Sequence, residues 1–278
     1  MAEKLDLASI VTRALGEDIG GRDVTADAVV PQGARARASI IQKQAGVLFG
    51  FDTTRETMRQ CAIEDFEVLA AEGQWRDDVP ATIATAAGLA ASLLAGERTA
   101  LNLLGHLSGI ATLTARYVDA VAGTGARILD TRKTTPGLRW LEKAAVAAGG
   151  GTNHRMGLHD AILIKENHIA LVGSLEVAVE RALTTGMPVE VECRDLGEVE
   201  SAIDAGADRI LLDNMEPSEI RRAVEMRGQR GAPAFEASGG VSLETVRGIA
   251  ETGVEFISVG ALTHSAPALD LSMMIEAA

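Results

Sequence analysis

Apolar residues recur at helical spacing near the start of the chain, and the stretch from Leu5 to Leu15 predicts an amphipathic helix. From Ala34 the spacing changes. The run ARARASIIQKQAGVLFG alternates from position to position and reads as strands joined at Gly46. A helix over about Asp52–Cys61 and a strand over about Phe66–Ala70 follow. Helical periodicity returns from Glu97 to Ala122, with a break expected at Ser108–Gly109. This long stretch is read as carrying the chain between two domains, because the pattern changes character near residue 105.

Beyond Gly125 a short apolar strand and a helix repeat. The strands read as ARILD, AILIK, PVEVEC, RILLD, AFEAS and FISVG, with helical stretches such as SLEVAVERALTT and LGEVESAIDAG between them. A repeat of about 20 to 35 residues is the rhythm of βα units in a parallel sheet or barrel. Nearly every strand closes on a polar residue: Asp130, Lys165, Glu192, Asp213, Ser238, Ser258. In a barrel these ends converge on one mouth, where chemistry sits.

A formal charge of −13 argues against nucleic acid or an anionic membrane as the main partner, since both select basic surfaces. It also makes a cluster of cations more informative. The N-terminus carries acids and lacks the form of a signal peptide. No apolar run approaches the roughly 18 residues of a membrane span. Cys61 and Cys193 lie far apart without metal spacing, which suits a reducing compartment, so a soluble cytoplasmic protein is expected.

Arg98, Arg132, Lys133, His154, Arg155 and Lys165 fall in or beside glycine- and threonine-rich segments. DTRKTTPGLR follows a strand end, and GGGTNHRMGLHD is a second cationic loop, so a polyanion is the expected ligand. Lys165 leaves three roles open: a Schiff base, an anion partner, or an amine reaching for water. Glu190 and Glu192 share one face of their strand and point inward, with Asp213 ending a neighbouring strand. Carboxylates beside a pyrophosphate suit Mg2+; a buried ion pair is the plainer alternative. ASGG (Ala237–Gly240) and SVGA (Ser258–Ala261) would let backbone N–H groups approach a phosphate. His106 and His264 have no partner spacing and are read as structural. Neither a P-loop nor a dinucleotide-binding glycine motif stands in the right context.

The segments ERTALNLLGHLSGIAT, ILDTRKTTPGLRWLEK, GGGTNHRMGLHDAILIKENHI, VEVE, LLDNM and ASGGV closely resemble the quinolinate phosphoribosyltransferase family. They stand in that family's order from about Glu97 to Gly260, and the first 96 residues resemble its N-terminal domain with weaker motifs. A sister branch associated with molybdenum transport genes shares part of the pattern, but LIKENH here is similar to the quinolinate enzymes.

The resemblance implies an α/β protein: an N-terminal α/β open sandwich over residues 1–105, joined by the tail 266–278, and a C-terminal α/β barrel of fewer than eight strands over 106–265. It implies a homodimer or larger assembly in which Arg98 reaches the partner's site. Arg132, His154, Arg155 and Lys165 would join it in holding quinolinate. Thr131, Lys133, Glu192 and Asp213 would serve phosphoribosyl pyrophosphate, with Glu192 and Asp213 holding Mg2+ directly or through water. Ser238, Gly239, Gly240, Ser258, Val259 and Gly260 would take the 5′-phosphate, and Lys133, Lys165, Glu192 and Asp213 form the catalytic set. Ala144, His159 and Glu166 depart from residues common in the family, and none is a matched ligand.

The implied reaction joins quinolinate to the sugar with loss of pyrophosphate and CO2, giving nicotinate mononucleotide. Rival readings are a Schiff-base aldolase barrel built on Lys165 and a relative that binds anions without catalysis.

Overall fold

The computed structural model describes residues 6–63, 65–228 and 232–278, and these fall into two compact units. The first comprises residues up to Ala115 together with Thr135–Gly150 and Ser265–Ala278; the second comprises Arg116–Thr134 and Gly151–His264.

In the first unit, helices α1 (Leu7–Ile19) and α2 (Val24–Val29) precede strand β1 (Arg35–Gln42). The predicted start of α1 at Leu5 lies outside the described residues. A short β2 (Gly46–Val47) leads to α3 (Phe51–Gln60), then β3 (Asp65–Val68), β4 (Trp75–Arg76) and β5 (Ala81–Leu89). A C-terminal strand, Leu271–Ala277, β1, β5 and β3 form one antiparallel sheet in that order. Alternation in β1 does the sorting: Ala36, Ala38 and Ile40 are buried while Arg35 and Arg37 face water. The buried face packs on Phe51 and Met58 of α3 and on Leu93, Leu101 and Leu104 of α4 (Ala90–Ala120). Helices packed on one face of an antiparallel sheet give the layered arrangement of an open sandwich.

Ala81–Ala95 contains the central strand β5 and the start of α4. One expectation changes here: helix α4 runs without the break expected at Ser108–Gly109. Its glycines serve close approach instead: a Cβ on Gly109 would overlap the Pro267 carbonyl oxygen, and one on Gly105 would lie 3.1 Å from that of Leu269. Ser108 Oγ takes the Phe49 N–H at 3.0 Å. The chain tail therefore lies along a helix that only glycine permits. Gly109→Ala is expected to destabilise the protein by about 2 kcal/mol despite Ala's better helix propensity, because the clash is with backbone. A thermal melt indistinguishable from wild type would rule this out. Helix α5 (Arg139–Ala148) belongs to this unit, with buried Glu142 accepting from Thr135 N–H at 3.1 Å and facing His106 Nε2 at 2.8 Å.

The second unit holds six strands: β6 (Arg127–Leu129), β7 (Ile162–Ile164), β8 (Val189–Cys193), β9 (Arg209–Asp213), β10 (Ala234–Ser238) and β11 (Phe256–Ser258). They pair in parallel in the order β6-β11-β10-β9-β8-β7. Helices α6 (Glu166–Val172), α7 (Leu175–Leu183), α8 (Leu196–Asp204), α9 (Pro217–Arg227), α10 (Val246–Ala250) and α11 (Ala261–His264) lie between or after them. Drawn flat, six strands would set β6 and β7 about 24 Å apart. Lys133 beyond β6 and Lys165 beyond β7 nevertheless line one cavity of about 330 Å³. The sheet is rolled into a barrel of fewer than eight strands, and a parallel bridge from Leu129 to Thr152 extends it past β6. Among the described residues no helix is long and apolar enough to cross a membrane.

Candidate active site

The cavity lies at the carboxyl ends of the strands, and all its walls belong to the second unit. Of the residues singled out from the sequence, Thr131, Arg132, Lys133, His154, Arg155, Lys165, Glu192, Asp213, Ser238 and Ser258 line it. Local structure explains the placing. Asp130, fully buried at the end of β6, accepts the His154 N–H at 2.8 Å, and Thr152 N–H bonds Ile128 at 2.8 Å. These bonds hang the glycine-rich loop from the strand end, so His154 and Arg155 enter the mouth.

The walls carry both signs of charge. Burial and the neighbouring Arg132 guanidinium lower the Arg155 pKa from its usual value. Two guanidiniums held together attract an anion that can bridge them. Lys165 Nζ contacts Glu192 Oε2 directly. Lys133 is exposed, its backbone N–H held at 3.0 Å by Thr131 Oγ1 and its carbonyl bonded at 2.8 Å by Thr263 Oγ1. Asp213 ends β9 beside Glu192 at the end of β8, so oxygen donors from adjacent strands face the cavity.

Beyond β10, Gly239 stands at φ 97° with the Asn214 amide where a Cβ would be. Asn214 N–H bonds Ser238 O at 2.8 Å and ties the two strand ends together. The Ser258–Gly260 segment is more committed than its sequence suggests. Ser258 Oγ donates to Glu236 and Val259 N–H to Leu129 O at 2.9 Å.

The floor holds what the sequence reading missed. Glu236 is fully buried in the middle of AFEAS, with Ser258 Oγ on one carboxylate oxygen and Arg209 NH1 3.1 Å from the other. His154 Nε2 lies 3.0 Å from Glu190 Oε2 and 3.6 Å from Glu236 Oε1. Burial, and then the Glu190 charge, raise Glu236 to about 7 against the pull of His154, Ser258 and Arg209. Burial works against a charged His154 ring, but the Glu190 hydrogen bond and the Glu236 charge outweigh it and raise its pKa. An acid inside an apolar strand was the available signal. His154, Glu190 and Glu236 are close enough to share a metal, but His154 Nε2 already faces both carboxylates and Arg209 holds Glu236.

Residues 23–108 match the quinolinate phosphoribosyl transferase N-terminal domain, and residues 110–274 match the C-terminal domain of the same enzyme. The chain belongs to the quinolinate phosphoribosyltransferase family. It is 42% identical over 269 residues to the carboxylating nicotinate-nucleotide pyrophosphorylase of Mycobacterium leprae, covering 95% of each chain. It is 44% identical to the probable enzyme of that name from Synechocystis, over 94% of this chain and 90% of the other. The crystal structure of nicotinate-nucleotide pyrophosphorylase from Ehrlichia chaffeensis superposes with a TM-score of 0.92 at 36% identity, covering 98% of this chain and all of that one. The departures from residues common in the quinolinate phosphoribosyltransferase family lie off the cavity. Ala144 is half-buried on α5, His159 is exposed, and exposed Glu166 meets Arg194 at 2.9 Å.

Proposed function

We propose that this chain transfers the phosphoribosyl group of 5-phosphoribosyl 1-pyrophosphate to quinolinate, with decarboxylation, giving nicotinate mononucleotide for NAD synthesis. One observation carries the reading: a single cavity is lined by Arg132, Arg155 and Lys165 together with Lys133, Glu192 and Asp213. The first three suit a ring bearing two carboxylates. The second three suit a sugar pyrophosphate and its cation.

In this account Arg155, Arg132 and Lys165 clamp the quinolinate carboxylates and aim the ring nitrogen at C1′ of the sugar. Lys133 offsets charge on the departing pyrophosphate. Backbone N–H groups around Gly239 and Gly240 receive the 5′-phosphate. Glu192 and Asp213 would hold Mg2+, directly or through water, an all-oxygen donor pair of the kind that ion prefers. When bound, Mg2+ neutralises negative charge on the leaving pyrophosphate. The pyridinium formed at the ring nitrogen is an electron sink, so the neighbouring carboxylate leaves as CO2, its bonding pair stays on the ring carbon, and that carbon takes a proton from water, without a covalent enzyme intermediate.

Arg98 lies on α4 in the first unit, its side chain 61% exposed and 3.8 Å from Glu97. We assign it to the quinolinate site of a second copy, in a homodimer whose sites are shared.

The test is turnover of quinolinate with phosphoribosyl pyrophosphate and Mg2+, followed as release of CO2. Nicotinate lacks one carboxylate and would leave a guanidinium or ammonium unmatched, so kcat/KM for it is expected to be at least about 100-fold lower. Comparable rates with the two acids would reject this specificity. The Schiff-base alternative predicts a borohydride-trapped adduct at Lys165. Lys165 Nζ instead pairs directly with Glu192, the contact an anion-binding lysine makes at such a mouth.

A further inference from the structure

His154 presents neither ring nitrogen to the open cavity. Nε2 faces Glu190 and Glu236, and Nδ1 accepts the backbone N–H of Arg155 at 2.9 Å. The ring therefore stands between a buried carboxylate pair and the backbone of the arginine that enters the mouth. Below it, Glu236 is pinned on both oxygens, by Ser258 Oγ and by Arg209, whose guanidinium stacks 4.1 Å over the Phe256 ring. A carboxylate removed from water needs such partners, and a chain of them holds one geometry. Arg155 itself reaches back to Ala161 O at 3.4 Å, so its backbone tie and its side chain share one loop.

We propose that Glu236 is a positioning residue for quinolinate: it fixes the His154 ring, and through that ring the backbone from which Arg155 is presented. His154 is then a link in the scaffold, where the family resemblance makes it a substrate ligand. The inference rests on the proposed reaction, because it takes Arg155 to hold a quinolinate carboxylate.

Glu236→Gln separates this role from bulk packing. The amide keeps the side chain's volume and can still face Ser258 and Arg209, but it turns an N–H2 toward the ring nitrogen and removes the charge. Quinolinate affinity by titration calorimetry is expected to fall about tenfold, the scale of one charge-assisted contact. The KM for phosphoribosyl pyrophosphate should stay within about twofold and Tm should change little.

The link to His154 is read by a double-mutant cycle with His154→Asn, whose shorter amide can still accept the Arg155 N–H but does not reach Glu236. If Glu236 acts through the ring, Glu236→Gln adds no further loss in the His154→Asn background. Multiplying losses, unchanged quinolinate affinity, or equal weakening of both substrates would overturn the proposal. Should Glu236→Gln fail to fold, Ser258→Ala removes one bond to Glu236 and no charge. It should weaken quinolinate about threefold while sparing phosphoribosyl pyrophosphate; the reverse split would assign Ser258 to phosphate and reject the inference. A wild-type protein that binds no quinolinate rejects the reaction itself, and the positioning role with it.

Discussion

Arg155→Ala and Lys165→Ala should each lower kcat/KM for quinolinate by at least about 30-fold while the protein stays folded. Truncating one member of a desolvated charge contact costs about 2–5 kcal/mol, which converts to roughly 30- to several thousand-fold. Both side chains stand at the open mouth and not in the apolar core, so little packing is lost with them. Lys165 carries a second consequence, because its removal also deprives Glu192 of its contact. Its loss is therefore expected to weaken phosphoribosyl pyrophosphate as well as quinolinate, whereas the loss at Arg155 should fall on quinolinate alone. Steady-state kinetics with each substrate varied in turn, beside a circular-dichroism melt, checks both statements. Turnover near wild type from either variant would sink its assignment.

The second large effect concerns assembly. Arg98→Ala alone is expected to be nearly inactive, although the residue lies in the first unit and is not among those lining the barrel cavity. Mixed with Lys165→Ala and allowed to exchange subunits, it should regain activity, because a mixed dimer then carries one site with both residues intact. A random one-to-one mixture makes half its dimers mixed, each with one good site of two, so recovery approaches about a quarter of wild type. The alternative is that Arg98 serves only its own subunit, for which its approach to Glu97 is the starting point. Complete exchange, shown by mass spectrometry, without regained activity would establish that alternative and remove shared sites from this account.

Much of this architecture was legible because its signals are local. The alternation of β1 and the βα rhythm after Gly125 depend on residues a few positions apart, and each strand end could be read from its own sequence. The cavity residues announced themselves for the same reason: Lys165 and Asp213 each follow a short apolar run, and Glu192 alternates with buried valines, at the place where a barrel strand opens onto its mouth.

What misled was a signal whose meaning lies far along the chain. Gly105 and Gly109 have the composition of a helix break, yet they are small so that residues 267–269 can lie against an unbroken helix. The alanine-rich stretch at Ala81–Leu89 carries little intrinsic preference, and becomes a central strand because β1 and β3 pair on either side of it.

By itself, then, the sequence determined the βα repeat, the strand ends that carry charge, and the family to which the chain belongs. Only the tertiary structure decided which of those groups meet. It placed Glu236 beneath His154, turned the Ser258 hydroxyl to that buried acid, and committed the Val259 N–H to β6. The physical reason is that a strand's own pattern says which face a side chain takes. The partner that satisfies a buried charge comes from another strand, and strand order with barrel closure sets its identity.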